Sequence, residues 1–167
     1  SVIVASGPSG VLRRWSSVDG ADLGSIEPHA GLVASIALDP ARETLLVGGA
    51  TLALFELSGD TPGHSVDPFP AEIAALVPPG GAVGSSISTD GDMVALLTGG
   101  EVWVWDRTAT TDAARQVPAA ATGVPVGATL SPDGSLLVVP YLDYGLGTTE
   151  IVVFDAATIS VIDRLAS

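Results

Sequence analysis

The stretch Val102-Trp103-Val104-Trp105-Asp106 alternates residues with a period of two and ends in an aromatic residue followed by an acid. This alternation is typical of a β-strand with two distinct faces. Three other stretches, about 40 to 50 residues apart, end on an aromatic residue in the same way. They are Val11-Leu12-Arg13-Arg14-Trp15, Leu52-Ala53-Leu54-Phe55-Glu56 and Ile151-Val152-Val153-Phe154-Asp155.

A second kind of strand, the opening strand, precedes every aromatic strand except Val11–Trp15. The openings are Val33-Ala34-Ser35-Ile36-Ala37-Leu38-Asp39-Pro40, Val83-Gly84-Ser85-Ser86-Ile87-Ser88-Thr89-Asp90-Gly91 and Val126-Gly127-Ala128-Thr129-Leu130-Ser131-Pro132-Asp133-Gly134. The last two end in turn chemistry, because Pro presets φ, Asp bonds nearby backbone and Gly accepts positive φ. Repeats of four strands and roughly 40–50 residues are typical of β-propeller blades.

The chain resembles the WD40 family, most closely over residues 1–57. His29 falls near the family's Gly-His position, Trp105-Asp106 is a literal WD dipeptide, and Phe154-Asp155 is its milder form. The resemblance implies a propeller that binds other macromolecules. The family's Asp-His-Ser-Trp network is not reproduced in any repeat, so the blades are degenerate and no binding rule tied to that network is carried over.

The predicted fold class is all-β, a β-propeller of about four four-stranded antiparallel blades. The blades are predicted at 1–31, which lacks its innermost strand, and at 32–80, 81–124 and 125–167. Because a propeller closes to remove its exposed edges, three arrangements stay open. The chain is a segment of a longer propeller, or two or more chains complete one ring, or a small four-bladed ring closes alone.

The charge balance restricts the partners. The net charge of −13 comes from 19 acids against 6 bases, all of them Arg. An acidic surface repels phosphate, so nucleic acid and anionic membrane are poor partners and a protein with a basic surface fits better. The simplest explanation of the acidic composition is solubility together with a GC-rich or salt-adapted genome. We expect the chain to be part of a larger bacterial protein.

Compartment and redox state are only loosely restricted. The absence of Cys excludes disulfides, thiolate metal sites and a Cys nucleophile. The sequence contains neither an apolar run long enough to span a bilayer nor a signal peptide at its start, which slightly favours the cytoplasm.

No catalytic, cofactor-binding or metal-binding residue is predicted, and no cofactor is expected. His29 and His64 are the only histidines, and neither belongs to a metal-binding motif. Acids recur after equivalent strands, which favours structural roles because an active site is usually singular. These acids are Asp39, Asp90 and Asp133 after the opening strands, and Asp106 and Asp155 after the aromatic strands.

Candidate partner contacts lie in two insertions and one basic pair. Phe69 lies in the Pro-rich insertion 60–79, and Tyr141 and Tyr144 follow Pro140, which is predicted to end a strand. Aromatic residues on a flexible loop suit partner contact. Arg13 and Arg14 form the only basic pair, predicted as a solvated strand edge.

The function predicted from the sequence is a WD40-like scaffold that mediates protein–protein interaction. The alternative is a propeller enzyme or small-molecule binder, similar to lactonase-like or quinoprotein-like propellers, with its site at the central channel. A third reading is a spacer or sensor within a larger signalling or envelope protein.

Overall fold

The fold is all-β, as predicted, and helical conformation within the described residues is confined to Ile73. This computed structural model describes residues 2–6, 10–27, 33–39, 43–49, 52–57, 65–67, 73, 75–77, 82–109 and 114–166. No helix in that part of the chain is long and apolar enough to cross a membrane.

The strands form four antiparallel sheets that follow one another along the chain. Sheet 1 contains β1 (Val2–Ser6), β2 (Leu12–Ser16) and β3 (Asp22–Ile26). Sheet 2 contains β4 (Val33–Asp39), β5 (Thr44–Gly49), β6 (Leu52–Glu56) and β7 (Ser65–Asp67). Sheet 3 contains β8 (Ala82–Ile87), β9 (Met93–Thr98), β10 (Glu101–Asp106) and β11 (Arg115–Gln116). Sheet 4 contains β12 (Val124–Pro125), β13 (Thr129–Leu130), β14 (Leu136–Asp143), β15 (Thr148–Asp155) and β16 (Ser160–Ala166).

Each sheet packs face to face against the next, because the strands carry apolar residues on both faces. Sheets 1 and 2 enclose the first core, sheets 2 and 3 the second, and sheets 3 and 4 the third and largest. The aromatic residues near the ends of β6, β10 and β15 pack between sheets. Phe55, Trp105 and Phe154 each lie in the core between their own sheet and the preceding one.

The first strands of neighbouring sheets meet, as expected when blades stack around an axis. β8 packs against β4 on one side and against β13 on the other. Serines join these strands. The Ser35 and Ser85 hydroxyls lie 2.8 Å apart, and the Leu130 backbone N–H donates to the Ser86 hydroxyl at 3.1 Å. Closure of the sheets into a ring, and the number of blades in such a ring, stay predictions.

The turns that enter the second strand of sheets 3 and 4 share one polar network. Ser88 donates to Asp90 at 2.5 Å and accepts from the Met93 backbone N–H at 2.9 Å. Ser131 and Asp133 repeat these bonds in the next sheet. A seryl hydroxyl, buried at Ser88 and partly exposed at Ser131, and an Asx-type bond thus fix both hairpins, which explains why the same turn residues recur.

Asp39 does not belong to this set of turn acids, although the sequence places it after an equivalent strand. Asp39 pairs with Thr44 at the end of the β4–β5 ladder. In sheet 3 the pair at the same end of the first two strands is Ser88 and Met93, whose backbones are hydrogen-bonded. Asp39 therefore stands where sheet 3 has Ser88. Its carboxylate is completely buried and lies 3.6 Å from Arg107 Nη1.

Pro140 does not end a strand, contrary to the prediction from the sequence. β14 runs through it to Asp143, and the predicted loop is a short turn at 144–147. The Pro140 carbonyl accepts a hydrogen bond from the Val126 N–H at 2.9 Å. Because the N and the carbonyl of a strand residue point to the same neighbouring strand, the Pro140 nitrogen, which carries no hydrogen, also faces the segment between β12 and β13. The first strand of sheet 4 is interrupted there, and Pro140 costs the sheet no bond.

Candidate functional site

A groove lies between sheets 3 and 4 at one end of their strands. Because successive strands alternate in direction, this end gathers the β9–β10 turn at 99–100, the connection 117–123 and the β14–β15 turn at 144–147. We call these three segments the groove end. The groove has a volume of about 210 Å³. It is lined by Gly100, Glu101, Val102, Gln116, Val117, Ala119, Gly123, Val124, Pro125 and Tyr141.

The groove has an apolar floor and a polar mouth. Val102, Val117 and Tyr141 are buried, so the floor is built by core residues of both sheets. Glu101 and Val124 are exposed at the mouth. Sequence reasoning missed Glu101 and Val117; the only local indication of a site there is the Gly99-Gly100 pair beside the aromatic strand.

Tyr141 belongs to the floor and not to a flexible loop. Its side chain is 3% exposed and lies within β14. Burial raises the pKa of the Tyr141 phenol, and a hydrogen bond with the Ala120 backbone opposes that shift. The phenol therefore stays protonated at neutral pH. Tyr144, predicted together with it, lies in the β14–β15 turn and is 76% exposed, as is Leu146 beside it.

Gly123 allows the connection to approach sheet 4 closely. Its φ is +101°, a conformation that L side chains rarely adopt, and a Cβ there would lie 2.5 Å from the Leu142 carbonyl oxygen. The backbone of Gly123 therefore forms one wall of the groove. This close approach could not be inferred from the sequence, where Gly123 is one glycine among 20.

The charge at the groove mouth is negative. Arg164 Nη1 pairs with Glu150 at 2.9 Å and also donates to the Ala120 carbonyl, which ties β16 to the connection. Within the described part of the chain, the Glu101 carboxylate has no hydrogen-bond or ion-pair partner. Glu101 is therefore the carboxylate at the mouth whose charge is available to a bound molecule.

Arginines tie the sheets to one another. Arg14 is 5% exposed, so it is not the solvated strand edge that the sequence suggested. Its Nη2 donates to the Leu23 carbonyl at 2.7 Å and its Nη1 to the Leu57 carbonyl of sheet 2 at 3.3 Å. Arg13, the adjacent residue, points to the opposite face and is exposed.

The other two sheet interfaces contain comparable ties. Arg107 donates to the Gly91 carbonyl at 2.7 Å, lies over the Trp105 ring and reaches Asp39 of sheet 2. Arg115 donates to carbonyls of Ala156 and Ala157 in sheet 4. Each of the three sheet interfaces therefore contains one arginine that contacts both sheets.

The recurrent acids Asp106, Asp133 and Asp155 accept hydrogen bonds within their own turns. Hydrogen bonds from the Thr108 and Thr158 hydroxyls are the main cause that lowers the pKa of Asp106 and of Asp155, respectively. Bonds from Ser131 and Ser135 lower the pKa of Asp133 in the same way. The prediction that their repetition reflects structure is consistent with these contacts.

The described residues do not bring together the side chains of a metal site. No group of three or more His, Cys, Asp or Glu side chains there could hold a metal ion. The inner-strand hydroxyls of Ser35, Ser85 and Ser86 are bonded between sheets. Three residues that the sequence singled out, His29, His64 and Phe69, lie outside the described residues.

Comparison with known proteins shows the fold but no family. No family model and no curated protein matches the sequence. Among solved structures, the β-propeller domain of Cps50 (Swd1) from Myceliophteria thermophila is similar, with a TM-score of 0.73 and 12% sequence identity. The match covers 99% of this chain and 51% of that chain, so this chain spans about half the neighbour's length. The chain therefore has the architecture of a β-propeller, and its likeness to WD40 proteins is one of fold.

Proposed function

We propose that the chain is a propeller-type scaffold that binds a basic segment of another protein at the groove end. The observation that carries this proposal is the groove itself, an apolar cleft between two sheets with the carboxylate of Glu101 at its mouth. Grooves with an apolar body and a few placed polar groups are the usual form of a binding site.

The chemistry of the groove fits a long cationic side chain. The aliphatic stem of a Lys or Arg packs on apolar surface while its charged end stays at the rim, which matches the floor at Val117 and Tyr141 and the charge of Glu101. Tyr144 and Leu146 add exposed apolar area at the same end. The net charge of −13 attracts a basic partner over a distance and disfavours nucleic acid.

Rigidity supports the same proposal. The groove is built by residues of the largest core and by a connection that Gly123 and Arg164 hold against sheet 4. A preformed site loses little conformational entropy on binding. A propeller enzyme or small-molecule binder with its site at the central channel remains the alternative. The origin in a larger bacterial protein remains a prediction.

Fluorescence anisotropy with a labelled peptide of alternating Arg and Leu tests the proposal. We expect saturable binding that weakens as NaCl rises from 50 to 300 mM, about two- to fivefold weaker binding by Glu101→Gln, and about tenfold weaker binding by Val124→Arg, which places a repelling charge at the mouth. The peptide with Glu in place of Arg should not bind.

Glu56→Gln is the matched control, because Glu56 is an exposed acid in sheet 2 and its substitution changes the net charge equally. It should alter the affinity less than twofold. Equal losses in Glu56→Gln and Glu101→Gln would mean that only general charge attraction acts, and the groove would then have no role in binding.

A further inference from the structure

One hairpin of the chain departs from the length that its repeats share. The ladder between an aromatic strand and the strand before it contains five residue pairs in sheet 1, five in sheet 2 and six in sheet 3. In sheet 4 the same ladder contains eight pairs. Counted from the equivalent ends of the two ladders, Tyr141–Glu150 of sheet 4 stands level with Thr98–Glu101, the last pair of sheet 3. Residues 142–149 project beyond that level, and we call them the hairpin extension.

The hairpin extension lies above the level at which neighbouring sheets pack. Sheet 3 packs against sheet 4 along the ladder that both share, and its own turn, at Gly99 and Gly100, is level with the base of the extension. A sheet of five or six pairs on the other side of sheet 4 would end at the same level. The exposure of the extension therefore follows from its own length.

Hydrogen bonds fix the conformation of the hairpin extension. Asp143 Oδ1 accepts from the backbone N–H groups of Gly145 and Leu146 at 2.8 and 3.1 Å. At its base the extension pairs with strand β12, through Leu142 and Val124. A turn that is already ordered loses little conformational entropy when a partner binds to its side chains.

The side chains that this turn displays are those of a contact surface. Tyr144 and Leu146 are each 76% exposed, although turns ordinarily carry small and polar residues. Val124 is 43% exposed and lines the groove as well as pairing with the base of the extension. An apolar surface thus runs from the groove onto the extension. Aromatic residues are enriched in such surfaces because they bury a large area with few rotatable bonds.

The charge beside this apolar surface restricts its occupant. Glu101 and Asp143 are both acidic and the whole chain carries a net charge of −13, so an arginine-flanked segment is attracted and an acidic one is repelled. We infer that the hairpin extension holds an aliphatic side chain of the basic segment that the groove is proposed to bind, an inference that rests on the proposed function. Tyr144 and Leu146 supply the apolar part of this contact.

Two peptides of equal charge test the inference by fluorescence anisotropy, one of alternating Arg and Leu and one of alternating Arg and Ser. We expect the wild type to bind the Leu peptide about tenfold more tightly than the Ser peptide, and the Tyr144→Ser/Leu146→Ser double variant to lose most of this preference. Val18→Ser is the matched control, because Val18 is an apolar residue in a turn of sheet 1 and is 86% exposed. It should change either affinity by less than about twofold.

The outcomes separate this inference from the proposed function. A double variant that keeps the full preference for the Leu peptide would overturn the inference, and a loss of affinity in Glu101→Gln would still support the groove. If neither peptide binds the wild type, the proposed function fails and the inference fails with it.

Stability and alternative occupants are measured on the same proteins. The double variant should melt within about 3 °C of the wild type, because both side chains are exposed. A larger decrease would show that these side chains cover their own sheet, which would overturn the inference. Binding to phosphatidylcholine vesicles, or self-association, that the wild type shows and the double variant loses would also overturn it, because the occupant would then be lipid or a second copy.

Discussion

At the scale of single residues, several arginine side chains of this chain connect neighbouring sheets. Arg14 and Arg115 donate to backbone carbonyls of the following sheet, and Arg107 reaches the Asp39 carboxylate of the preceding sheet. A guanidinium suits this task because it offers several donors in a rigid fork and is always charged. The chain has no Lys, whose flexible ammonium offers no such fork.

Arg14→Ala should destabilise the chain by about 1–3 kcal/mol, because two carbonyls lose their donor and the buried stem leaves a gap. Urea unfolding followed by far-UV circular dichroism measures the loss. Val18→Ala, in the same sheet but 86% exposed, should change stability by less than about 0.5 kcal/mol. An Arg14→Ala protein as stable as this control would show that the tie contributes nothing.

At the scale of elements, glycine conformation decides where the connections run. Gly100 and Gly123 both have positive φ, at +79° and +101°, and both line the groove. They differ in their surroundings, because nothing lies within 4 Å of a Cβ added at Gly100, whereas one added at Gly123 meets backbone atoms of Leu142 and Asp143.

This difference predicts unequal costs of the same substitution. Gly100→Ala should cost only the conformational strain, about 1–2 kcal/mol. Gly123→Ala adds a backbone clash and should cost about 1–3 kcal/mol more, with loss of peptide binding at the groove. Thermal unfolding and the anisotropy assay measure the two effects. Equal costs at both positions would contradict the close approach of the connection to β14.

At the scale of the whole molecule, acid stability depends on carboxylates held in turns. Hydrogen bonds from neighbouring side chains, in each case the largest cause, lower the pKa of Asp19, Asp106, Asp133 and Asp155. A carboxylate whose pKa is lower in the folded state stabilises the fold when the pH is above its unfolded pKa of about 4. This stabilisation is lost as the pH falls through the folded-state pKa. Protonation also relieves the repulsion of a −13 chain, which acts in the opposite direction.

Comparison with Asp133→Asn isolates the turn contribution from the general charge effect. The variant should unfold at a lower temperature than the wild type at pH 7, because Ser131 and Ser135 lose a charged acceptor. The difference should shrink as pH falls below about 4 and approach zero near pH 2. Differential scanning calorimetry at several pH values follows it, and a difference that does not depend on pH would refute this assignment.

Local chemistry made the strands and turns predictable from the sequence. Alternation in Val102–Asp106 and the Ser-x-Asp-Gly turns act between near neighbours, so period and turn residues were enough to indicate antiparallel β-structure. The prediction that Pro140 ends a strand was wrong because it also used only near neighbours. Pro is tolerated within a strand where its nitrogen faces an interruption in the neighbouring strand, and that interruption is not visible locally.

The amino-acid sequence by itself determined that the chain folds as repeated antiparallel sheets with two apolar faces each. Only the tertiary structure decided that Arg14 is buried while Arg13 is exposed, that Tyr141 lies in the groove floor while Tyr144 is exposed in a turn, and that Glu101 stands beside an apolar groove. The physical reason is distance along the chain. Arg14 bonds to Leu57, 43 residues away, and each wall of the groove belongs to a different sheet. Contacts of that range follow from how the sheets stack, which no local pattern specifies.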